Sequence, residues 1–184
     1  MAINLKKGQR ETLTTAKFTV GLGWDTNGTA TGVDFDLDAS IFILGENKKI
    51  LTDKHFIFYN NLTSPDGAVE HTGDNRTGEG EGDDESVIID LSKIDAAAEE
   101  ICIVVTIDEC EARKQNFGQV RNAFVRIVDN VSNTEIMKFE LDEDFSVETA
   151  VEFGRIYKRN NEWKFEAIGT GMNGGLEDFL KKYN

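Results

Sequence analysis

The run Asp34-Phe35-Asp36-Leu37-Asp38-Ala39-Ser40-Ile41-Phe42-Ile43 decides the fold class of this chain. Phe35, Leu37, Ala39, Ile41 and Ile43 fall on one parity. Successive side chains of a strand point to opposite faces, so the pattern predicts a strand with that set in the core. The opposite parity places Asp34, Asp36 and Asp38 together on the other face, in a row about 7 Å apart. At an effective dielectric near 20, unit charges at that spacing repel by roughly 2 kcal/mol per adjacent pair before salt screens them. A positive charge is therefore expected nearby. Asp is also depleted in strands, and a local rule broken in this way is expected where function demands it.

Outward from this run, short apolar or alternating stretches recur at Phe18 to Leu22, His55 to Tyr59, Val87 to Leu91, Ile101 to Ile107, Ala123 to Val128, Ile136 to Leu141, Ala150 to Tyr157 and Trp163 to Gly169. Gly, Asn and Asp clusters separate them. Together with Phe35 to Leu44 they predict nine or ten strands, which suit two packed sheets better than one open sheet. The expected fold is all-β, a β-sandwich of two mainly antiparallel sheets with a few short helices. Helical signals are confined to Asp95 to Glu100, the neighbourhood of Glu111 to Gln119, and Gly175 to Tyr183, where Leu176, Phe179 and Leu180 hold helical spacing. None alternates with strands as a βαβ unit would, which argues against a doubly wound parallel sheet. Tyr157-Lys158-Arg159-Asn160-Asn161-Glu162-Trp163 joins two alternating runs through an Asn-rich turn and predicts a hairpin. The sole proline, Pro65, sits in the turn-like Ser64-Pro65-Asp66-Gly67.

At 184 residues, with 39% apolar residues and 12 Phe, the chain suits one core-bearing domain over residues 1–184. Lys plus Arg number 20 against 34 Asp plus Glu, a formal net charge of -14. That balance repels nucleic acid and anionic membrane surfaces and favours cationic partners, metals above all. No stretch approaches the roughly 20 apolar residues of a membrane span, and MAINLKKGQR leads into polar TLTTAK rather than an apolar signal core, so a cytoplasmic protein is expected. Cys102 and Cys110 lack CxxC spacing and read as a buried strand residue and a loop thiol rather than a disulfide.

A second acidic segment, Gly73-Asp74-Asn75-Arg76-Thr77-Gly78-Glu79-Gly80-Glu81-Gly82-Asp83-Asp84-Glu85, holds six carboxylates with only Arg76 to offset them. Its four glycines permit positive φ, so such a loop can fold back and point several oxygens at one centre. Calcium takes six to eight oxygen ligands in flexible geometry and fits this supply. Magnesium, which demands tighter octahedral geometry, fits less well, and zinc lacks a Cys or His cluster. The segment is not an EF-hand: counted from Asp74, Arg76 and Gly78 stand where Asp or Asn is needed.

GLGWD (Gly21 to Asp25), DFDLDAS (Asp34 to Ser40), FIFYNNL (Phe56 to Leu62) and HTGDNRTGEGEGDDE (His71 to Glu85) together resemble the TerD family of bacterial tellurite-resistance and general stress proteins. Further similarity in FGQV (Phe117 to Val120), EWKFEAIGTG and GGL extends over nearly the whole chain. The resemblance implies a β-sandwich that binds Ca2+ through its acidic segments and acts in the cytoplasm within a stress-response system. It also implies protein partners in a stress-response complex, with any membrane association made through them; the charge balance argues against nucleic-acid binding and the lack of an apolar span against direct membrane insertion. Carried onto this chain, the metal-binding region comprises Asp34, Asp36, Asp38, Asp74, Asn75, Glu79, Asp83, Asp84 and Glu85. Asp25 and Asn60 or Asn61, at strand ends beside matching blocks, are further candidate ligands.

Other residues read more plainly. His71 beside the acidic loop is expected to be a hydrogen-bonded surface residue, Trp24 a core aromatic, and Cys102 inert strand packing. Arg113, Lys114 and Arg121 form a small basic area expected to be a solvated face. The leading functional expectation is a non-enzymatic, calcium-dependent interaction module. The alternative is a metal-dependent phosphoester hydrolase using the same carboxylates, which also needs a general base and a substrate clamp, a part for which only Arg76 qualifies by sequence.

Overall fold

The computed structural model describes residues 2–25, 34–73, 82–141 and 147–184. In chain order the described strands are β1 (Ile3–Leu5), β2 (Arg10–Thr12), β3 (Lys17–Gly23), β4 (Leu37–Leu44), β5 (Phe56–Ile57) and β6 (Val69–His71). They continue with β7 (Glu85–Asp90), β8 (Glu100–Ile107), β9 (Phe124–Asp129), β10 (Thr134–Glu140), β11 (Ala150–Arg159) and β12 (Glu162–Met172). One sheet has the order β1-β10-β9-β3-β7-β6 and the other β2-β12-β11-β8-β4-β5. Every pairing is antiparallel except that of β1 with β10. The all-β sandwich is thus the observed fold. The strands absent from the sequence reading, β1, β2 and β6, are three residues each and too short to show a period.

The core between the sheets is filled by the parity read from sequence. Leu37, Ala39, Ile41 and Ile43 of β4 meet Phe18, Val20 and Leu22 of β3, Val87 and Ile89 of β7, and Phe153 and Phe165 from the β11–β12 hairpin. That hairpin turns on Asn160 and Asn161, both at positive φ (53° and 60°), as a two-residue type I′ connection requires. The Pro65 turn also forms, with the Gly67 N–H donating to the Ser64 carbonyl at 2.9 Å and Gly67 at φ 67°.

The second face of β4 departs from its expected character. Only Asp38 continues the acidic row into the strand. Beyond it Ser40, Phe42 and Leu44 are buried, and helix α2 (Leu176–Tyr183) packs Phe179 and Tyr183 against Phe42 and Leu44. The Phe42 ring stacks on Phe56 at 4.7 Å between centroids and meets Tyr183 at 4.9 Å. The helical expectation near Glu111 reduces to one turn, α1 (Cys110–Arg113), and Glu100 belongs to β8 rather than to a turn. Both cysteines are free; Cys102 is buried in this second cluster, where desolvation holds its thiol far above the ordinary range and so inert.

Candidate metal centre

Strands β3, β6, β8, β10 and β12 end, and β4, β7, β9 and β11 begin, at the same end of the sandwich. Four segments link strands across this end: 24–38, 71–85, 108–123 and 140–149. They contain 18 of the 34 acidic residues and 4 of the 20 basic ones. The remainder of the chain holds sixteen of each. Of the residues in these segments that the structure describes, 12 are acidic and 3 basic, so negative charge is concentrated at this end. Fold topology, not composition, makes that concentration.

Trp24 organises the described part of the site. Its indole N–H donates to the Phe35 carbonyl at 3.3 Å, and its backbone N–H donates to Asp84 Oδ2 at 2.9 Å. The ring is buried, as expected for a core aromatic, and it ties the start of the Asp34–Asp38 run to the exit of the glycine-rich segment. Asp84 in turn donates its own N–H to the Leu22 carbonyl at 2.8 Å. Asp25 is exposed, with Oδ2 accepting from Asn122 Nδ2 at 2.6 Å. Asp25 and Asp84 together line a cleft of about 400 Å³, beside Phe124, Lys138 and Glu140. Partial burial, with the neighbouring charges of Asp83 and Asp25, pushes the Asp84 carboxyl above its ordinary range against the pull of the Trp24 N–H. A cation in the cleft would reverse that cost.

Asp83 faces elsewhere. Its carboxylate forms a two-pronged pair with Arg126 of β9, from Nε at 2.7 Å and Nη2 at 3.2 Å, while Arg126 Nη1 reaches Glu135 at 3.2 Å. It lies over Gly21, where a Cβ would overlap it. These hydrogen bonds, Asp83's first, hold the guanidinium above its already high range.

The Asp34–Asp38 row splits. Asp34 is exposed and Asp36 buried, both ahead of β4, and Asp38 is half-buried within it. The positive charge that the row requires is Arg113, 3.7 Å from Asp36, 3.6 Å from Asp108 and 3.1 Å from Glu109. Arg113 is therefore not part of a solvated basic face. Arg121 donates to the Gly118 and Val120 carbonyls. Asp108 and Gln115, which the sequence did not single out, bond the backbone carbonyls of Asp36 and Asp34 at 2.8 and 3.2 Å. Their only sequence signal was position after a buried strand.

Glu85 is buried at the start of β7, and its Oε2 accepts the Ala39 N–H at 2.7 Å. β5 pairs with β4 only at Ile41 and Phe42, so this edge N–H finds its acceptor in a side chain from the other sheet. His71, 3.6 Å from Glu85, is also buried rather than on the surface, because β6 turns it into the sandwich. Asn60 is exposed in the turn between Phe58 and Asn61, whereas Asn61 is committed to the Phe56 carbonyl at 2.6 Å. Asp74, Asn75 and Glu79 lie outside the described residues. Among the described residues, no three carboxylate, His or Cys side chains converge as a metal would need. What the described residues offer is three carboxylates on one cleft, Asp25, Asp84 and Glu140, the last paired with Lys138 at 2.8 Å, which leaves the oxygens of Asp25 and Asp84 as the donors that suit a hard cation.

The fold and the site define a two-sheet β-sandwich with an excess of acidic side chains among the described residues of one end. Residues 1–183 match the TerD domain, and the chain belongs to the TerD family. It is 50% identical to the tellurium resistance protein TerD of Serratia marcescens, over 100% of this chain and 97% of that one. It is 51% identical to general stress protein 16U of Bacillus subtilis, again over 100% and 97%. The crystal structure of a TerD homologue from Streptomyces coelicolor shares the fold, with a TM-score of 0.71 over 90% of this chain and 95% of that one at 18% identity. Tellurium and stress resistance are thus the family's field. Among the described residues, no helix is long and apolar enough to cross a membrane.

Proposed function

We propose that this protein is a calcium-binding interaction module of a cytoplasmic stress response, not an enzyme. The observation that carries the reading is the excess of acidic over basic side chains among the described residues at one end of the sandwich, with Asp25 and Asp84 lining one cleft there. Carboxylates so placed repel one another, and Asp84 is already disfavoured in its charged form. A divalent cation removes that repulsion and joins the segments 24–38 and 71–85 into one surface for a protein partner. In this reading Asp25 and Asp84 supply oxygens from the described side of the site, Asp34, Asp36 and Asp38 border it, and Asp74, Asn75 and Glu79 complete the donor set. A binding role is favoured over hydrolysis because, among the described residues, Arg113 and Arg126 beside these carboxylates are engaged in ion pairs; Arg76, the clamp that the sequence offered, lies outside the described residues.

A calorimetric titration with Ca2+ against Mg2+ tests this. Binding to the folded state alone stabilises it by RT ln(1+[L]/Kd), about 2.7 kcal/mol at 100-fold excess over Kd. A calcium-dependent rise in melting temperature is expected, and identical melting in calcium and in chelator would refute it.

A further inference from the structure

Asp83 and Asp84 are adjacent in sequence but are held by different partners. Asp84 lines the cleft and is held by the Trp24 N–H, whereas Asp83 lies on the outer face of the β3 sheet, gripped at both oxygens by Arg126. Three features act together to keep it there. Gly82, at φ 108°, takes a left-handed conformation that glycine favours and so re-aims the chain just before the pair. Gly21 leaves vacant the space that the carboxylate fills. Arg126, on the central strand β9, holds its own orientation through Glu135. A planar guanidinium bound at two oxygens fixes direction as well as distance, which an ammonium would not.

We propose that the Arg126–Asp83 pair, seated over Gly21, is the anchor that presents Asp84 to a cation, making Arg126 the positioning residue of the site and Asp83 a part of its frame rather than a ligand. The anchor keeps one of two adjacent charges out of the lining of the cleft and fixes the chain at Asp83, two residues before β7. The proposal deepens the calcium reading and rests on it for its binding measurement.

The test uses the full chain with Arg126→Gln, Arg126→Lys, Asp83→Asn, Gly21→Ala and the double variant Arg126→Gln/Asp83→Asn. Calcium affinity is measured by calorimetry, and amide hydrogen exchange at Trp24 and Asp84 is measured by NMR in chelator, with melting of each variant recorded. Groups that orient a metal ligand typically contribute 10–100-fold to affinity, so Arg126→Gln, Asp83→Asn and Gly21→Ala are each expected to weaken calcium binding by about that factor. The double variant should be no weaker than either single one, and Arg126→Lys should restore part of the loss. In chelator, the Trp24 and Asp84 amides should exchange severalfold faster in the same three variants, while amides of β8 keep their protection. Tighter calcium binding in Arg126→Gln would show that the arginine competes with metal for Asp83 and would overturn the proposal. So would loss of binding in Asp83→Asn with Arg126→Gln unaffected, which makes Asp83 a ligand. Should the unaltered protein bind no calcium, the functional reading fails, yet unchanged Trp24 and Asp84 exchange in Arg126→Gln would still overturn the anchor and accelerated exchange would support it.

Discussion

Asp84 carries the electrostatic tension of the site, and its sign can be worked through. A carboxyl whose pKa is raised on folding contributes stability below its unfolded value and loses it as pH rises through the folded value. Asp84 therefore opposes folding at neutral pH when no cation is bound. Asp84→Asn should raise the melting temperature measured in chelator and abolish the further rise on adding calcium; a lower melting temperature in chelator would contradict the assignment. Glu85 gives the opposite result. Glu85→Ala leaves the buried Ala39 N–H without its acceptor and should cost about 1–3 kcal/mol in urea unfolding. At this scale the sequence reading was uneven. The carboxylates at this end were legible as charge in DFDLDAS and GDDE, and Trp24 as a core ring. The partners of those carboxylates were not, because Arg113 and Arg126 reach them only across strands that are distant in sequence.

Among elements, α2 shows what a single helix contributes. Its apolar residues close an aromatic cluster on the outside of the β4 sheet, with Phe179 fully buried against Phe42 and Tyr183. Phe179→Ala should destabilise the protein by about 3–5 kcal/mol and expose the cluster to a hydrophobic dye, read by urea unfolding and dye fluorescence. The helical spacing of Leu176, Phe179 and Leu180 was visible in sequence, and Phe42 and Leu44 were visible as apolar. That the two sets cover each other was not visible. Parity assigned Phe42 and Leu44 to the acidic face, and only the docking of α2 explains why a face that begins with Asp38 ends in aromatic packing.

For the whole molecule, the charge distribution has a measurable consequence. Lowering ionic strength from about 0.1 M to 0.01 M lengthens screening from about 10 Å to 30 Å, so repulsion within the acidic end grows. The chelated protein should therefore lose stability on dilution of salt more steeply than the calcium-loaded one, seen as diverging melting temperatures; parallel curves would show that calcium does not neutralise this end. The sequence by itself determined the all-β class, the long strands, the hairpin at Asn160 and Asn161, and family membership, because period-two burial and turn chemistry act over a few residues. Only the tertiary structure decided that four segments far apart in the chain share one end, that Asp84 faces a cleft while Asp83 faces Arg126, and that Glu85 and His71 lie inside. Those outcomes depend on which strands become neighbours, and strand pairing is set by long-range packing of the two sheets rather than by any local pattern.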